Sequence, residues 1–403
     1  MSSLLFGKVY YKDHFAGLLK EEPGDRSSFT YDEHYLQAGL PSIAHTLPCQ
    51  SASLISQAGL PAFFDNLVAE GWLETAQTRL LGKRVASRFE LLLAFGEDCA
   101  GAVSVVDPRP VKLTLALLED RDQKDMAVMA SRASLSGVQP KLTAVLRHGK
   151  YIPAKLGELS THIVKFHSSH HADLVFNEYV TTAAFKALLP YETVVDLIVG
   201  EVSGFSEPAL IIPRFDRTPK GKRIHFEEFN QLLGQHSRAK YEGAYKDMVE
   251  FIRQTPNTLL AENYRLFLRI ITGILLGNTD MHLKNFAMLH TENGLRLAPV
   301  YDQVASVLYQ YKTMALAMGG VSNRLIGKLK PAHIIQLGRE FQLSNETIYM
   351  AYEQLAKQLE AAKDSITEAT VGSIQLKTQL MTHIGKRWNG TFNLIGKHLL
   401  QKR

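Results

Sequence analysis

GNTDMHLKNFAMLHTENGLRLAPVYD, residues Gly277–Asp302, is the stretch from which the rest of the chain is read. Asp280 is followed five residues later by Asn285, with His282 and Lys284 between them. Two alternating runs come next, 286–290 and 295–300, joined by Thr291-Glu292-Asn293-Gly294. Asn-Gly between such runs predicts a β-hairpin. A hairpin here returns the chain, so that Asp302 comes back toward Asn285. Amide and carboxylate oxygens are the ligands Mg²⁺ takes, and a carboxylate beside them can accept the proton of an attacking hydroxyl. An Asp-x-x-x-x-Asn pair alone is equally a loop capped by its own side chains. The hairpin and the second Asp are what favour chemistry.

Protein kinases set out their parts in this order: catalytic Asp, metal-binding Asn five residues on, a small hairpin, a second metal-binding Asp. Upstream, Leu260, Tyr264, Phe267, Leu268, Ile271, Ile274 and Leu275 recur every three or four residues, predicting a helix that ends at Gly277 and anchors the loop. Lys165 lies inside the apolar run Thr161-His162-Ile163-Val164-Lys165-Phe166, where an unpaired ammonium would cost several kcal/mol. A helix predicted from Asp173 to just before Pro190 carries Glu178. Lys on a strand with Glu on the next helix repeats the kinase device that holds ATP phosphates; the plain alternative is a structural ion pair. Strand-like runs at 194–199 and 209–212 lead to Pro213-Arg214-Phe215-Asp216-Arg217. This extended segment could offer adenine its main chain, Pro213 keeping only its carbonyl. Before the predicted strands 142–147 and 151–155 lies a Ser/Gly loop, 131–141. Its small residues, Gly137 among them, would let backbone N–H groups approach phosphate, although the Gly-Lys-Ser/Thr of a Walker A loop is missing. A Ser-rich surface loop is the alternative.

The chain has 403 residues, 45% of them hydrophobic, enough for a large core and two or three domains. A balance of +5 without a dense basic block does not by itself indicate nucleic acid. Cys49 and Cys99 lack metal-ligand spacing and read as reduced thiols of a cytoplasmic protein. The start shows no signal peptide, and the apolar window 266–276, broken by Arg269, predicts a buried helix and no membrane span. In the first hundred residues the expectations are a hairpin over 4–22, a strand over 29–35, and helices at 60–67, 76–81 and 89–95, closed by a boundary at 106–110. The last seventy read as helices over 331–341, 345–363 (Ser344 as N-cap) and 372–398, with Lys386-Arg387-Trp388 on a solvated face.

Taken together, the motifs resemble those of HipA-type serine/threonine kinases, the toxin halves of bacterial toxin–antitoxin pairs. They are FFDN at Phe63–Asn66, SLSGVQPK at Ser134–Lys141, THIVKF at Thr161–Phe166, NEY at Asn177–Tyr179, PRFDR at Pro213–Arg217, GNTDMHLKNF at Gly277–Phe286 and APVYD at Ala298–Asp302, in the family's order over nearly the whole length. The resemblance implies an α+β, two-lobed protein-kinase-like fold. Its parts would be a small β-plus-helix N-terminal subdomain (1–107), a kinase N-lobe with the Ser/Gly loop and hinge (108–217) and a mainly helical C-lobe with the catalytic and metal-binding loops (218–403). It implies Asp280 as catalytic base, and Asn285 with Asp302 as ligands of Mg²⁺. ATP would be held by Lys165 with His282 close by, by Gly137, Lys141 and Glu178, and by the main chain at Pro213 and Phe215 against adenine. Ser134 would be autophosphorylated. The Ser134-Leu135-Ser136 pair resembles the HipT branch, in which Ser136 is modified as well, although that branch carries the N-terminal subdomain as a separate protein. Pro213 stands where the family has an acidic residue. The implied partners are a HipB-like helix-turn-helix antitoxin, operator DNA only through it, and an aminoacyl-tRNA synthetase substrate, glutamyl or tryptophanyl, whose modification halts translation and gives persistence. Two alternatives are a small-molecule kinase of related fold and a non-catalytic binding module of the antitoxin–DNA complex.

Overall fold

The computed structural model describes residues 4–109, 139–155, 157–168, 171 and 173–400. They form two compact units, one of residues 1–168 and 200–239, the other of 169–199 and 240–403.

The first unit opens with a meander: β1 (Phe6–Tyr11), β2 (His14–Glu22), β3 (Arg26–Tyr31), β4 (Leu54–Ser56) and, arriving later in the chain, β5 (Val103–Val106), in the order β4-β3-β2-β1-β5. The expected hairpin is present, Tyr11 pairing with His14 and Lys12 taking the positive φ (54°) of the turn. The expected strand over 29–35 ends at Tyr31. Asp32 stops it by accepting hydrogen bonds from the main-chain N–H groups of His34 and Tyr35, which starts the helix Glu33–Gln37. Helices Ala62–Leu67, Gly71–Leu80 and Arg88–Phe95 follow, the first entered through Pro61 and the last by a Ser87–Glu90 capping box. The stripe Phe63, Phe64, Leu67 and Val68 is buried, as core.

A second antiparallel sheet follows: β6 (Lys141–Arg147) between β7 (Lys150–Pro153) and β8 (His162–Lys165), with β8 also bonded to β10 (Ala209–Pro213). Short β9 (Ile198–Gly200) carries the chain across the unit boundary, and β11 (Phe226–Glu228) lies close to the end of the unit. One apolar core joins Val9, Leu19, Phe29, Phe64 and Val105 of the first hundred residues to Leu142, Val164, Phe166 and Ile211 of the second sheet.

The second unit is mainly helical, with Leu174–Leu188, Tyr245–Gln254, Ala261–Leu276, Pro331–Glu340, Asn345–Glu368 and Ile374–Gly390 as its principal helices. Ser344 caps its helix as expected, its side chain accepting from the Thr347 N–H. Residues 194–197 are not the expected strand; Val194 instead makes an isolated bridge with Val300. The helix expected over 372–398 breaks at Thr391, whose hydroxyl donates to the Leu329 carbonyl at 2.9 Å. Arg387 is not on a solvated face: it is buried and donates to that same carbonyl at 3.2 Å, while Trp388 stacks on Tyr352 and Phe392. Both cysteines are free thiols, Cys49 exposed and Cys99 buried. Among the described residues no helix is long and apolar enough to cross a membrane.

Candidate active site

The apolar stripe of Ala261–Leu276 is buried, and the helix stops where Gly277 turns left-handed (φ 86°). A Cβ at that glycine would lie 2.6 Å from Val307 Cγ1 and 3.0 Å from the His383 ring. Beyond it, Asn278 and Thr279 are buried. Asn278 Oδ1 accepts from the Asp280 N–H at 3.0 Å, while its Nδ2 donates to the Asp302 carbonyl and to Gln303 Oε1, each at 3.3 Å. A single amide therefore ties the start of the loop to Asp302. Thr279 is held by Ser306 and by the Tyr311 carbonyl.

The loop closes on itself. The Asp280 carbonyl accepts from the His282 N–H at 2.9 Å and from Asn285 Nδ2 at 2.6 Å, and the Asn285 N–H donates to the His282 carbonyl at 2.9 Å. His282 Nδ1 accepts from the Lys284 N–H at 3.3 Å, which leaves Nε2 as the protonated nitrogen. The hairpin forms as β12 (Ala287–Thr291) and β13 (Gly294–Leu297), with Thr291 opposite Gly294. Asn-Gly is not its central pair: Glu292 and Asn293 span the turn, and Gly294 takes the positive φ (93°) where a Cβ would meet the Asn257 carbonyl. The returning chain delivers Tyr301, whose hydroxyl donates to the Lys284 carbonyl at 2.9 Å, and then Asp302 at φ 53°, a conformation Asp tolerates better than most residues. Asp280, His282, Asn285 and Asp302 are thus brought together within one unit.

Two residues escaped the sequence reading. Tyr241, 39 positions before Asp280, donates its hydroxyl to Asp280 Oδ1 at 2.9 Å, and its ring meets His282 edge-on at 5.0 Å. Lys240 accepts from the Leu283 N–H through its carbonyl at 3.1 Å and places its ammonium over the Tyr241 ring. Nothing local marks either one. Asn278, by contrast, stands in the quoted stretch, directly after the glycine that ends the helix. Although Asp280 keeps an exposed edge, packing around its carboxyl removes hydration and raises its pKa from the ordinary aspartate value; the Tyr241 hydrogen bond and the Lys240 charge oppose this, and the Asp302 charge adds to it.

In the first unit, Lys141 and Lys165 are buried and directly paired across β6 and β8, which puts both side chains on one face. Pro213 pairs with His162 at the other end of β8, three residues away or roughly 10 Å along the strand. Phe215 packs on Phe226 with ring centroids 4.9 Å apart. Glu178 is buried on the Leu174–Leu188 helix of the second unit. Ser134, Ser136 and Gly137 lie outside the described residues.

The model of the HipA N-terminal domain family matches residues 7–106, and that of the HipA-like C-terminal domain family matches residues 133–363. A Sinorhizobium fredii relative, named among the kinases, is 30% identical over 351 residues, 80% of this chain and 82% of its own. The serine/threonine-protein kinase toxin HipA of Shewanella oneidensis is 30% identical over 332 residues, 73% of this chain and 74% of the toxin. A solved structure of HipA with HipB and operator DNA from Shewanella oneidensis MR-1 superposes with a TM-score of 0.75 at 22% identity, covering 96% of this chain and 99% of that one.

Proposed function

Because this chain belongs to the HipA family of kinases, we propose that it is the toxin kinase of a toxin–antitoxin pair, acting in the cytoplasm. It transfers the γ-phosphate of ATP to a serine of an aminoacyl-tRNA synthetase, glutamyl or tryptophanyl, and to its own Ser134 or Ser136. The observation that carries this reading is the Asn278 amide holding the Asp280 N–H and the Asp302 carbonyl together, on the loop that also presents Asn285. In its chemistry Asp280 is the base: as the acceptor oxygen bonds the γ-phosphorus and the bond to the ADP oxygen breaks, the hydroxyl proton passes to Asp280. A raised pKa suits that task.

Asn285 and Asp302 fit a magnesium ion. The Nδ2 of Asn285 is committed to the Asp280 carbonyl, so its Oδ1 would be the atom offered to the ion, and Asp302 would add a charged oxygen. The bound ion would offset phosphate charge. Lys165 and Lys141 would hold the phosphates, with Glu178 and His282 in support, while the main chain at Pro213 and Phe215 meets adenine at the other end of the sheet. Gly137 would approach the phosphates through its backbone. By role the proposed divisions are 1–107, 108–217 and 218–403, the first sharing one apolar core with the second sheet. The partner is a HipB-like antitoxin, through which operator DNA is reached; a complex of that composition is known for the Shewanella protein.

The test is Asp280→Asn with labelled Mg-ATP and cell lysate, together with intact mass of the purified chain. The expected result is one labelled protein band and a phosphate on the Ser134–Ser136 loop in the wild type. Both should fall by about 10²–10⁴ in the variant while its melting curve is kept. Label in metabolites would make the chain a small-molecule kinase, and equal labelling by the variant would remove Asp280 from its role.

A further inference from the structure

Three charged side chains of the Pro213–Arg217 motif have no part in the nucleotide site above. Arg214, Asp216 and Arg217 are buried, and ions in a protein interior must be paired. They pair with one another, with Ser160, and with Asp98, Cys99 and Gly101, more than a hundred positions earlier. Arg214 donates through Nη1 to Asp98 Oδ2 at 3.2 Å, through Nη2 to the Cys99 carbonyl at 2.9 Å and through Nε to Asp216 Oδ1 at 2.9 Å. Arg217 donates to Asp98 Oδ1 at 2.7 Å and to the Gly101 carbonyl at 3.0 Å. The Gly101 N–H donates to Asp216 Oδ2 at 2.8 Å. Ser160, just before β8, donates its hydroxyl to Asp98 at 2.5 Å and accepts from Arg214 at 2.8 Å.

These groups hold one short piece of backbone. The Arg214 N–H donates to the Thr161 carbonyl at 2.9 Å, extending the pairing of β8 and β10 past Pro213. Beyond Arg214 the chain turns through Phe215 and Asp216, the Arg217 N–H donating to the Arg214 carbonyl at 3.2 Å. Arg214 is anchored inward, so the peptide groups of Pro213 and Phe215 on either side of it are held in place. Burial alone would raise the Asp98 pKa, but the Arg214 and Arg217 charges hold it down at about 2, so the anchor stays ionised. Asp98 falls within the match to the N-terminal family and Arg214 within the match to the C-terminal one.

We propose that Asp98 is a positioning residue for nucleotide binding: through Arg214 and Arg217 it fixes the Pro213–Phe215 main chain against which adenine lies. This rests on the nucleotide reading of the previous subsection. It makes the N-terminal domain part of the support of the ATP site, beyond any docking role.

The experiment uses the full chain, the fluorescent analogue mant-ATP with Mg²⁺, and steady-state phosphate transfer. Asp98→Asn should raise the mant-ATP Kd and the KM for ATP by about tenfold or more, because it leaves two guanidinium groups short of charge. The rate at saturating ATP should stay within about twofold, since Asp98 is far in sequence and role from the transferred phosphate. Ser160→Ala should shift the Kd the same way by about threefold, and it decides the matter if Asp98→Asn does not fold. Arg88→Ala, which cuts the ion pair to Asp65 elsewhere in the same unit, should leave the Kd unchanged. An unchanged Kd in folded Asp98→Asn or Ser160→Ala overturns the proposal, as does an equal rise in Arg88→Ala. A wild-type chain that does not bind mant-ATP overturns the nucleotide reading itself, and this inference with it.

Discussion

Asn278 does for the candidate site what neither Asp280 nor Asp302 does alone. Its amide donates to one segment and accepts from another, so Asn278→Ala should lose the bonds to the Asp280 N–H and the Asp302 carbonyl, at about 0.5–1.5 kcal/mol for each. More telling should be a fall of about 10–100-fold in phosphate transfer, from a displacement of well under the width of an atom; an unchanged rate would make Asn278 merely structural. His383 gives a second prediction at this scale. Burial lowers its pKa from 6.5 to about 4, the Arg387 and Lys386 charges push the same way, and a hydrogen bond with the Ile274 main chain opposes them. Above pH 6.5 the ring is neutral whether the chain is folded or not, and its contribution is complete. As pH falls from 6.5 toward 4 only the unfolded chain takes the proton, so stability is lost, up to about 3 kcal/mol. Melting curves of wild type and His383→Gln between pH 7 and 5 should therefore converge, the variant losing less; parallel losses would refute the assignment.

The Ala261–Leu276 helix and the hairpin after it were legible because their signals are local: a stripe every three or four residues, a glycine to stop it, alternation on both sides of a turn. The same holds for β6, β7, β8 and the Leu174–Leu188 helix. Local signals also misled. Asp32 looked like a residue within a strand and is a cap, Arg387 looked solvated and is buried, and the Asn-Gly pair sits one residue later in its turn than expected. Asp32 is decided two and three residues on, at the N–H groups of His34 and Tyr35, while Arg387 and Gly294 are decided by the distant carbonyls of Leu329 and Asn257, which one-dimensional spacing cannot show. Tyr241 and the Asp98 cluster belong to that class too. At Gly277 local conformation and distant packing coincide: φ is 86° and Val307 crowds the missing Cβ. Gly277→Ala should cost about 2–4 kcal/mol, seen as a lower urea midpoint with an unchanged slope.

The first unit does not divide where its two family matches do. Its apolar core runs without a break from Val9 and Phe64 to Phe166 and Ile211, and its buried ions run from Asp98 to Arg217. Deletion of residues 1–107 should therefore strip cover from Leu142, Val164 and Phe166 and leave Arg214 and Arg217 without Asp98. The expected product is insoluble or aggregated on size-exclusion chromatography; a soluble monomer that binds ATP would show the first hundred residues to be separable.

The chain leaves the first unit at Ala239 and enters the second at Lys240, whose carbonyl already grips Leu283, three residues beyond Asp280. Packed surfaces can slide; a peptide bond cannot. A few glycines spliced into this joint would add slack directly upstream of Tyr241, and a ligand-gated insert in their place would turn the joint into a throttle on phosphate transfer.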